Sequence, residues 1–218
     1  GGARLDANGM DHLDGGAGDD LLVAEGGFTN MVGGPGNDTL VATFEFGDPN
    51  FDHARADYSS SPGGIVANLT FGMADVSAPG LDPASVPGSQ RIADGFGTID
   101  SVVNISSIRD TDHDDYIFVD WSFVNFRNGL LEVRLGAGND YVAFLHGVGR
   151  VSYRNAEAGV NASLQRGNAY QIGGEEDLIG YDTLLGASQL VGSAFDDLLQ
   201  GDYNTTLLRG GAGGDTLF

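Results

Sequence analysis

Between residues 9 and 41 the chain repeats with a period of nine. Three residue types keep this period: glycine at Gly9, Gly18, Gly27 and Gly36, a large apolar residue at Leu13, Leu22, Met31 and Leu40, and aspartate at Asp11, Asp20 and Asp38. The clearest copies read GGAGDDLLV at 15–23 and GGPGNDTLV at 33–41. One copy is too short to bury its apolar residue alone, so the pattern predicts copies that stack on one another around a narrow core.

Each position of the repeat has a physical task. Glycines at the first, second and fourth positions allow positive φ and close backbone approach, so six residues can form a tight turn with inward carbonyls. Three residues then form a short strand whose middle residue is apolar. The aspartate at the sixth position adds a carboxylate, and a shell made only of oxygen suits a hard cation such as Ca²⁺.

These nonapeptides resemble the repeats-in-toxin (RTX) family of bacterial secreted proteins, whose motif is G-G-x-G-x-D-x-U-x. The resemblance implies an all-β fold, a right-handed parallel β-roll or β-helix in which two nonapeptides make one coil and calcium lies between stacked turns. Turns on one side are then eighteen residues apart, which pairs Asp20 with Asp38 and Asp11 with Thr29. We therefore expect a strong calcium site at the first pair and a weak one opposite.

The resemblance also implies a set of calcium ligands. In the first array they are Asp11, Gly15, Ala17, Asp20, Gly33, Pro35 and Asp38. In the last array, 190–218, they are Gly192, Ala194, Asp197, Gly210, Ala212 and Asp215. Asp140, in LGAGNDYVA at 135–143, and Asp115, in DTDHDDYIF at 110–118, are weaker candidates. For Asp140, the sixth-position neighbours expected from the period, Ser122 and the residues beyond Tyr153, are not acidic.

A longer duplication organises the rest of the chain. The segment 56–69 matches 152–164 at an offset of 95, and 100–120 matches 182–202 at an offset of 82. The difference is an insertion in the Pro/Gly/Ser-rich stretch 74–96, which predicts a protruding loop. The predicted organisation is an array at 1–44, a spacer at 45–109, divergent coils at 110–151, a second spacer at 152–189 and an array at 190–218. Together these segments can form one continuous elongated domain.

The net charge of −21 predicts a chain that needs a cation to become compact, because crowded carboxylates repel one another. Extracellular calcium is about millimolar, within the ~10⁻⁴ to 10⁻³ M range of extracellular modules. We therefore expect the chain to pass unfolded through a secretion channel and to fold outside the cell, and the resemblance to the RTX family implies that this channel is of type I. The chain has no cysteine, so no disulfide can stabilise this fold.

Other functions find less support. The sequence has no HExxH or GxSxG motif and no thiol, which favours a protein that is not an enzyme, and two Asp-Pro bonds, at 48–49 and 82–83, are weak evidence for self-cleavage. Asp110, Asp112 and Asp114 alternate as in an EF-hand loop, but Trp121 stands where that loop has glutamate. The acidic charge disfavours nucleic-acid binding. No apolar run is long enough for a membrane helix.

A polysaccharide-binding module of an extracellular enzyme, such as an alginate epimerase, is the alternative function. Arg134 and Arg150, within a run of arginines between 127 and 166, are its candidate ligand-binding residues, with a cell-surface glycan as the partner. The aromatic segment 116–135 can be read in two ways. Its aromatic faces can stack on sugars, or Ile117, Phe126, Val133 and Leu135 can fill a β core.

Overall fold

The computed structural model describes residues 10–25, 27–43, 53–70, 78–82, 85–120, 130–146, 148–174 and 177–218. These residues form twenty short strands. The first ten are β1 (Met10–Asp14), β2 (Leu21–Glu25), β3 (Phe28–Val32), β4 (Thr39–Thr43), β5 (His53–Asp57), β6 (Val66–Leu69), β7 (Arg91–Ala93), β8 (Ile99–Val103), β9 (Ser107–Arg109) and β10 (Tyr116–Asp120). The second ten are β11 (Leu130–Arg134), β12 (Tyr141–His146), β13 (Val148–Ser152), β14 (Val160–Ser163), β15 (Asn168–Gln171), β16 (Tyr181–Leu185), β17 (Gln189–Val191), β18 (Leu198–Gln200), β19 (Leu207–Arg209) and β20 (Thr216–Leu217).

The strands form two large sheets, and the chain alternates between them. One sheet has eight parallel strands in the order β1-β3-β5-β9-β11-β13-β17-β19. The other has twelve strands in the order β2-β4-β8-β7-β6-β10-β12-β16-β15-β14-β18-β20. This alternation confirms the predicted all-β roll. Partners in the first array are eighteen residues apart, as in Leu22↔Leu40 and Asp11↔Thr29.

Two three-strand excursions interrupt the simple coil, and both lie in the twelve-stranded sheet. In the first, β6, β7 and β8 follow one another, with β7 antiparallel to both neighbours. In the second, β14, β15 and β16 repeat this arrangement. The duplicated segments in the sequence are therefore duplicated structural units, and β8 and β16 begin 82 residues apart, at Ile99 and Tyr181.

The predicted loop 74–96 is only partly a loop. Its last residues include β7, which pairs with β6 and β8. The extra residues of the first unit lie between β6 and β7, at 70–90, where the second unit has only 164–167. The sequence could not reveal β7 because three residues are too few for a recognisable alternation.

The core lies between the two sheets and is apolar along its length. Met31, Leu40, Ile117 and Val133 are fully buried there, and Leu135 is 1% exposed. Three of the four core residues expected in segment 116–135 are thus confirmed, while Phe126 and Trp121 lie outside the described residues. In the part of the chain that the structure describes, no helix has the length and apolarity needed to cross a bilayer.

Candidate metal centre

The turns of the first array show why the repeat needs its glycines. The second- and fourth-position glycines have positive φ, at Gly16 (85°), Gly18 (112°), Gly34 (95°) and Gly36 (152°). The first-position glycine serves another purpose. A Cβ on Gly33 would collide with the carboxylate of Asp38, and one on Gly15 would lie 3.1 Å from Asp20 Oδ2. The expectation of positive φ was therefore right for two positions, whereas the first provides space for the aspartate.

The sixth-position aspartates form ladders across the twelve-stranded sheet. The amide of Asp20 donates to Asp38 Oδ1 at 2.9 Å, and the amide of Asp38 donates to Asp100 Oδ1 at 2.9 Å. The other carboxylate oxygen differs from one aspartate to the next. Oδ2 of Asp20 and of Asp38 is buried and has no hydrogen-bond donor among the described residues. An ionised oxygen buried in this way needs a cation or a proton.

A second ladder runs through the middle of the molecule. The amide of Asp115 donates to Asp140 Oδ1 at 3.0 Å, and the amide of Asp140 donates to Asp182 Oδ1 at 3.1 Å. The expectation that Asp140 has no acidic neighbour is therefore wrong. It assumed coils of eighteen residues, whereas these partners lie 25 and 42 residues apart because the coils are longer there.

Asp110 joins this ladder to form the strongest candidate metal site. Carboxylate oxygens of Asp110, Asp115 and Asp140 lie within 4.8 Å of one another, and all three residues are buried. Oδ2 of Asp110 and of Asp140 has no donor in the described parts of the chain. A cavity of about 310 Å³ borders Asp110 and is also lined by Asp112, Arg134 and Gly136. Buried carboxylates without donors fit the oxygen-rich shell that Ca²⁺ prefers.

The pKa values of the clustered aspartates also indicate that their negative charges must be neutralised when they are buried together. Burial, followed by repulsion from Asp140 and Asp115, raises the pKa of Asp110 well above its usual value. Burial and the Asp182 charge likewise raise the pKa of Asp140, and burial raises that of Asp115 to about 6. A proton on Asp110 would let it donate to Asp140, which is one way to lower the repulsion. A divalent cation is the other.

Two ladder members have a different partner for Oδ2. The Tyr58 hydroxyl donates to Asp100 Oδ2 at 2.9 Å, and the Tyr153 hydroxyl donates to Asp182 Oδ2 at 2.7 Å. Burial is the main cause that raises the pKa of each of these two aspartates to about 7. In both excursions a tyrosine hydroxyl thus donates to the aspartate Oδ2. The same atom has no donor among the described residues in Asp20, Asp38 and Asp140.

The C-terminal pair lies together as its spacing predicts, but with more internal donors. The amide of Asp197 donates to Asp215 Oδ1 at 3.1 Å. The carboxylate of Asp197 itself accepts from the Val160 amide at 2.8 Å and from the Ser193 amide at 2.7 Å. Its neighbours Gly192 and Gly210 leave no room for a Cβ beside the two carboxylates. The prediction of calcium at this pair stays a prediction.

Of the remaining predicted ligands, Ala17, Ala194 and Ala212 are exposed residues of their turns. Asp11 is in the eight-stranded sheet beside Thr29, and its Oδ2 is buried with no donor in the described part of the chain. The Pro35 carbonyl accepts the Gly18 amide at 2.9 Å, which keeps the two turns in register. Asp112 and Asp114 are exposed, so the alternating aspartates do not converge as EF-hand ligands would.

Arg134 and Arg150 do lie together, on the outward side of the eight-stranded sheet, but around Glu132. Arg134 Nε donates to Glu132 Oε1 at 2.6 Å, and Arg150 Nη1 donates to Glu132 Oε2 at 3.1 Å. Arg150 also donates to Gln189 Oε1 at 2.8 and 2.9 Å. Although burial acts in the opposite direction, Arg134 and Arg154 hold the pKa of Glu132 below its usual value. The prediction that these arginines bind a glycan stays a prediction.

Three residues of the metal cluster and the ladders were not predicted as site residues: Asp110, which joins the cluster, and the ladder members Asp100 and Asp182. Asp110 occupies the first position of a divergent turn, where the repeat has glycine, so the motif did not identify it. Asp100 and Asp182 belong to the spacers, where the motif does not apply. The 82-residue duplication aligns these two aspartates with each other and was the available signal.

No protein-family model matches the chain, and no curated protein matches it either. The molecule is therefore an all-β protein with two large, mostly parallel sheets and a buried acidic cluster that could hold a metal ion.

Proposed function

We propose that the chain is a calcium-binding, calcium-folded spacer region of a secreted bacterial protein of the RTX type, with a structural rather than a catalytic role. The observation that carries this proposal is the cluster of Asp110, Asp115 and Asp140, which is buried and includes two carboxylate oxygens without donors in the described chain. Calcium can neutralise such a cluster, because its oxygen shell is flexible and does not require the directional hydrogen-bond donors that the described residues lack there.

The first array supports the same proposal. Asp20 and Asp38 lie eighteen residues apart on neighbouring coils, and each has a buried Oδ2 without a donor among the described residues. Burial raises the pKa of Asp38, and the charge of Asp20 acts in the same direction although the Asp20 amide opposes it, so ionisation of Asp38 is unfavourable unless a cation offsets it. Calcium here would stabilise the folded form, because the unfolded chain cannot hold the ligands together.

The secreted location follows from the need for calcium. A chain of net charge −21 that depends on calcium remains expanded where free calcium is scarce and folds where it is about millimolar. Export as an unfolded chain through a type I channel and folding at the cell exterior fit this dependence. The parent protein can be an adhesin, a toxin, a surface-layer protein or an exoenzyme, because the repeat region serves as a scaffold.

Calorimetric titration of calcium into the chelator-stripped protein tests the central site. Asp140→Asn keeps an oxygen acceptor for the Asp115 amide but removes the charge, so we expect one fewer calcium ion bound or at least about tenfold weaker affinity. Asp114→Asn is the matched control, because Asp114 lies in the adjacent turn but is exposed. Equal stoichiometry and affinity in the wild type and Asp140→Asn would contradict the proposal.

A further inference from the structure

The outward side of the twelve-stranded sheet carries a tyrosine pair that the calcium sites do not use. Tyr170 and Tyr181 are cross-strand partners on β15 and β16, with ring centroids 6.2 Å apart and an interplanar angle of 4°. Tyr181 is 53% exposed. Side-chain amides fix both hydroxyls: Asn161 donates to the Tyr170 oxygen at 2.7 Å, and Asn168 donates to the Tyr181 oxygen at 2.6 Å. The rings are therefore held in place although one is largely in solvent.

The first excursion shows that the fold does not require these residues. Its strands pair in the same way, with Ile99 at the position of Tyr181, Ala93 at that of Tyr170 and Val66 at that of Asn161. The same three-strand arrangement thus forms with an Ile-Ala-Val set that has neither a ring nor an amide. The Tyr-Tyr-Asn set of the second excursion is consequently available for a task other than folding.

The chemistry of this face fits a neutral polysaccharide. The outward positions of β14, β15 and β16 carry no charge although the chain has 31 acidic residues; they are Asn161, Ser163, Asn168, Tyr170, Tyr181, Thr183 and Leu185. A sugar ring presents an apolar face of polarised C–H groups, which is attracted to the negative face of an aromatic ring. The neighbouring amide and hydroxyl groups can bond to sugar hydroxyls.

The net charge of the molecule favours a neutral polysaccharide over an acidic one. A net charge of −21 repels an acidic polymer, and the outward positions of these three strands provide no cation to compensate. We propose that the tyrosine platform, defined as Tyr170, Tyr181, Asn161 and Asn168, binds a neutral polysaccharide by stacking. Preorganised rings favour such binding, because little side-chain freedom remains to be lost. This inference goes beyond calcium-dependent folding, which supplies only the folded sheet.

Native affinity electrophoresis in calcium tests the platform directly. The gels contain dextran, galactomannan or xyloglucan as neutral probes and alginate as the acidic one. The test variant combines Tyr170→Ala with Tyr181→Ile, which copies the residues of the first excursion and should therefore keep the fold. The control is Ile99→Ala, which changes the equivalent outward position of the first excursion.

We expect at least one neutral polysaccharide to retard the wild type and the control, and retention of the double variant to weaken by about tenfold or more. Far-UV circular dichroism checks that the double variant is folded, and the single change Tyr181→Ile replaces it if it is not. Retardation by none of the neutral polymers would overturn the proposal, as would retardation by alginate alone. Equal retardation of the wild type and the tyrosine variant would also overturn it.

Discussion

At the residue scale, the buried aspartates differ in the partner of their second carboxylate oxygen. Along the twelve-stranded sheet, Oδ1 accepts a backbone amide from a neighbouring coil, as Asp38 Oδ1 does from the Asp20 amide. Oδ2 meets a tyrosine hydroxyl at Asp100 and Asp182, and a backbone amide of its own turn at Asp115 and Asp197. At Asp20, Asp38 and Asp140 it meets no donor in the described chain, and there a cation is most needed.

Replacing Gly33 with alanine tests the packing of these carboxylates. The new Cβ would occupy the space of the Asp38 carboxylate, so we expect a loss of about 1–3 kcal/mol of stability together with weaker calcium binding. Urea unfolding in calcium measures the first effect and calorimetry the second. Gly88→Ala is the control, because its nearest neighbour would be Arg91 Cδ at 4.0 Å. Equal losses in the two variants would show that space at Gly33 is not critical.

The sequence predicted the site only where the nine-residue period holds. The contact between Asp20 and Asp38 follows from two copies in frame, and so does that between Asp197 and Asp215. The contact between Asp115 and Asp140 could not be predicted, because a longer coil separates these residues by 25 positions. Asp110 stands where the repeat motif has glycine, so a search for the motif does not identify it as a site residue.

At the scale of elements, the molecule alternates plain coils with three-strand excursions. Each excursion begins after a strand of the eight-stranded sheet, β5 or β13, and returns the chain to the neighbouring strand, β9 or β17. The sequence predicted the two units by their duplication, but not the antiparallel strands within them, because β7 and β15 lack a clear alternation. In both units a buried tyrosine holds the ladder aspartate of the returning strand, so the hydroxyl provides what a cation would provide elsewhere.

Tyr153→Phe tests whether the Tyr153 hydroxyl stabilises Asp182 in the way that a cation would stabilise the aspartates without a donor. Removing the hydroxyl leaves Asp182 Oδ2 without its donor in a fully buried place, so we expect a loss of about 1–3 kcal/mol in the free energy of unfolding. Urea unfolding in excess calcium gives the value. Tyr203→Phe, at a residue that is 96% exposed, should change the stability little. An unchanged midpoint for Tyr153→Phe would refute a structural role of the hydroxyl.

At the scale of the whole molecule, charge decides whether the roll is compact. The chain carries 31 acidic and ten basic residues, and several of the acidic ones are buried in two ladders. Neutralisation by calcium and neutralisation by protons are alternative ways to stabilise these ladders. Burial is the main cause that raises the pKa of three ladder aspartates: to about 7 for Asp100 and Asp182, and to about 6 for Asp115.

This competition predicts an unusual pH dependence for the calcium-free protein. A carboxyl whose pKa is raised by folding binds more protons in the folded than in the unfolded state, so stability falls as pH rises. In chelator, we expect the melting temperature to fall as the pH rises from about 4, the ordinary pKa of an aspartate in the unfolded chain, to about 7, and to level off above that pH. Calcium should stabilise the protein most at the upper end of this range. A melting temperature in chelator that rises with pH would contradict the interpretation.

The most direct test of calcium-dependent folding is far-UV circular dichroism of the whole chain at pH 8, above the raised pKa values of Asp100, Asp182 and Asp115. In millimolar calcium we expect the β spectrum of the roll, whose described residues form twenty strands. In excess chelator we expect the spectrum of a largely disordered chain, with the β spectrum restored when calcium is added back. The same full β spectrum in chelator and in calcium would contradict calcium-dependent folding.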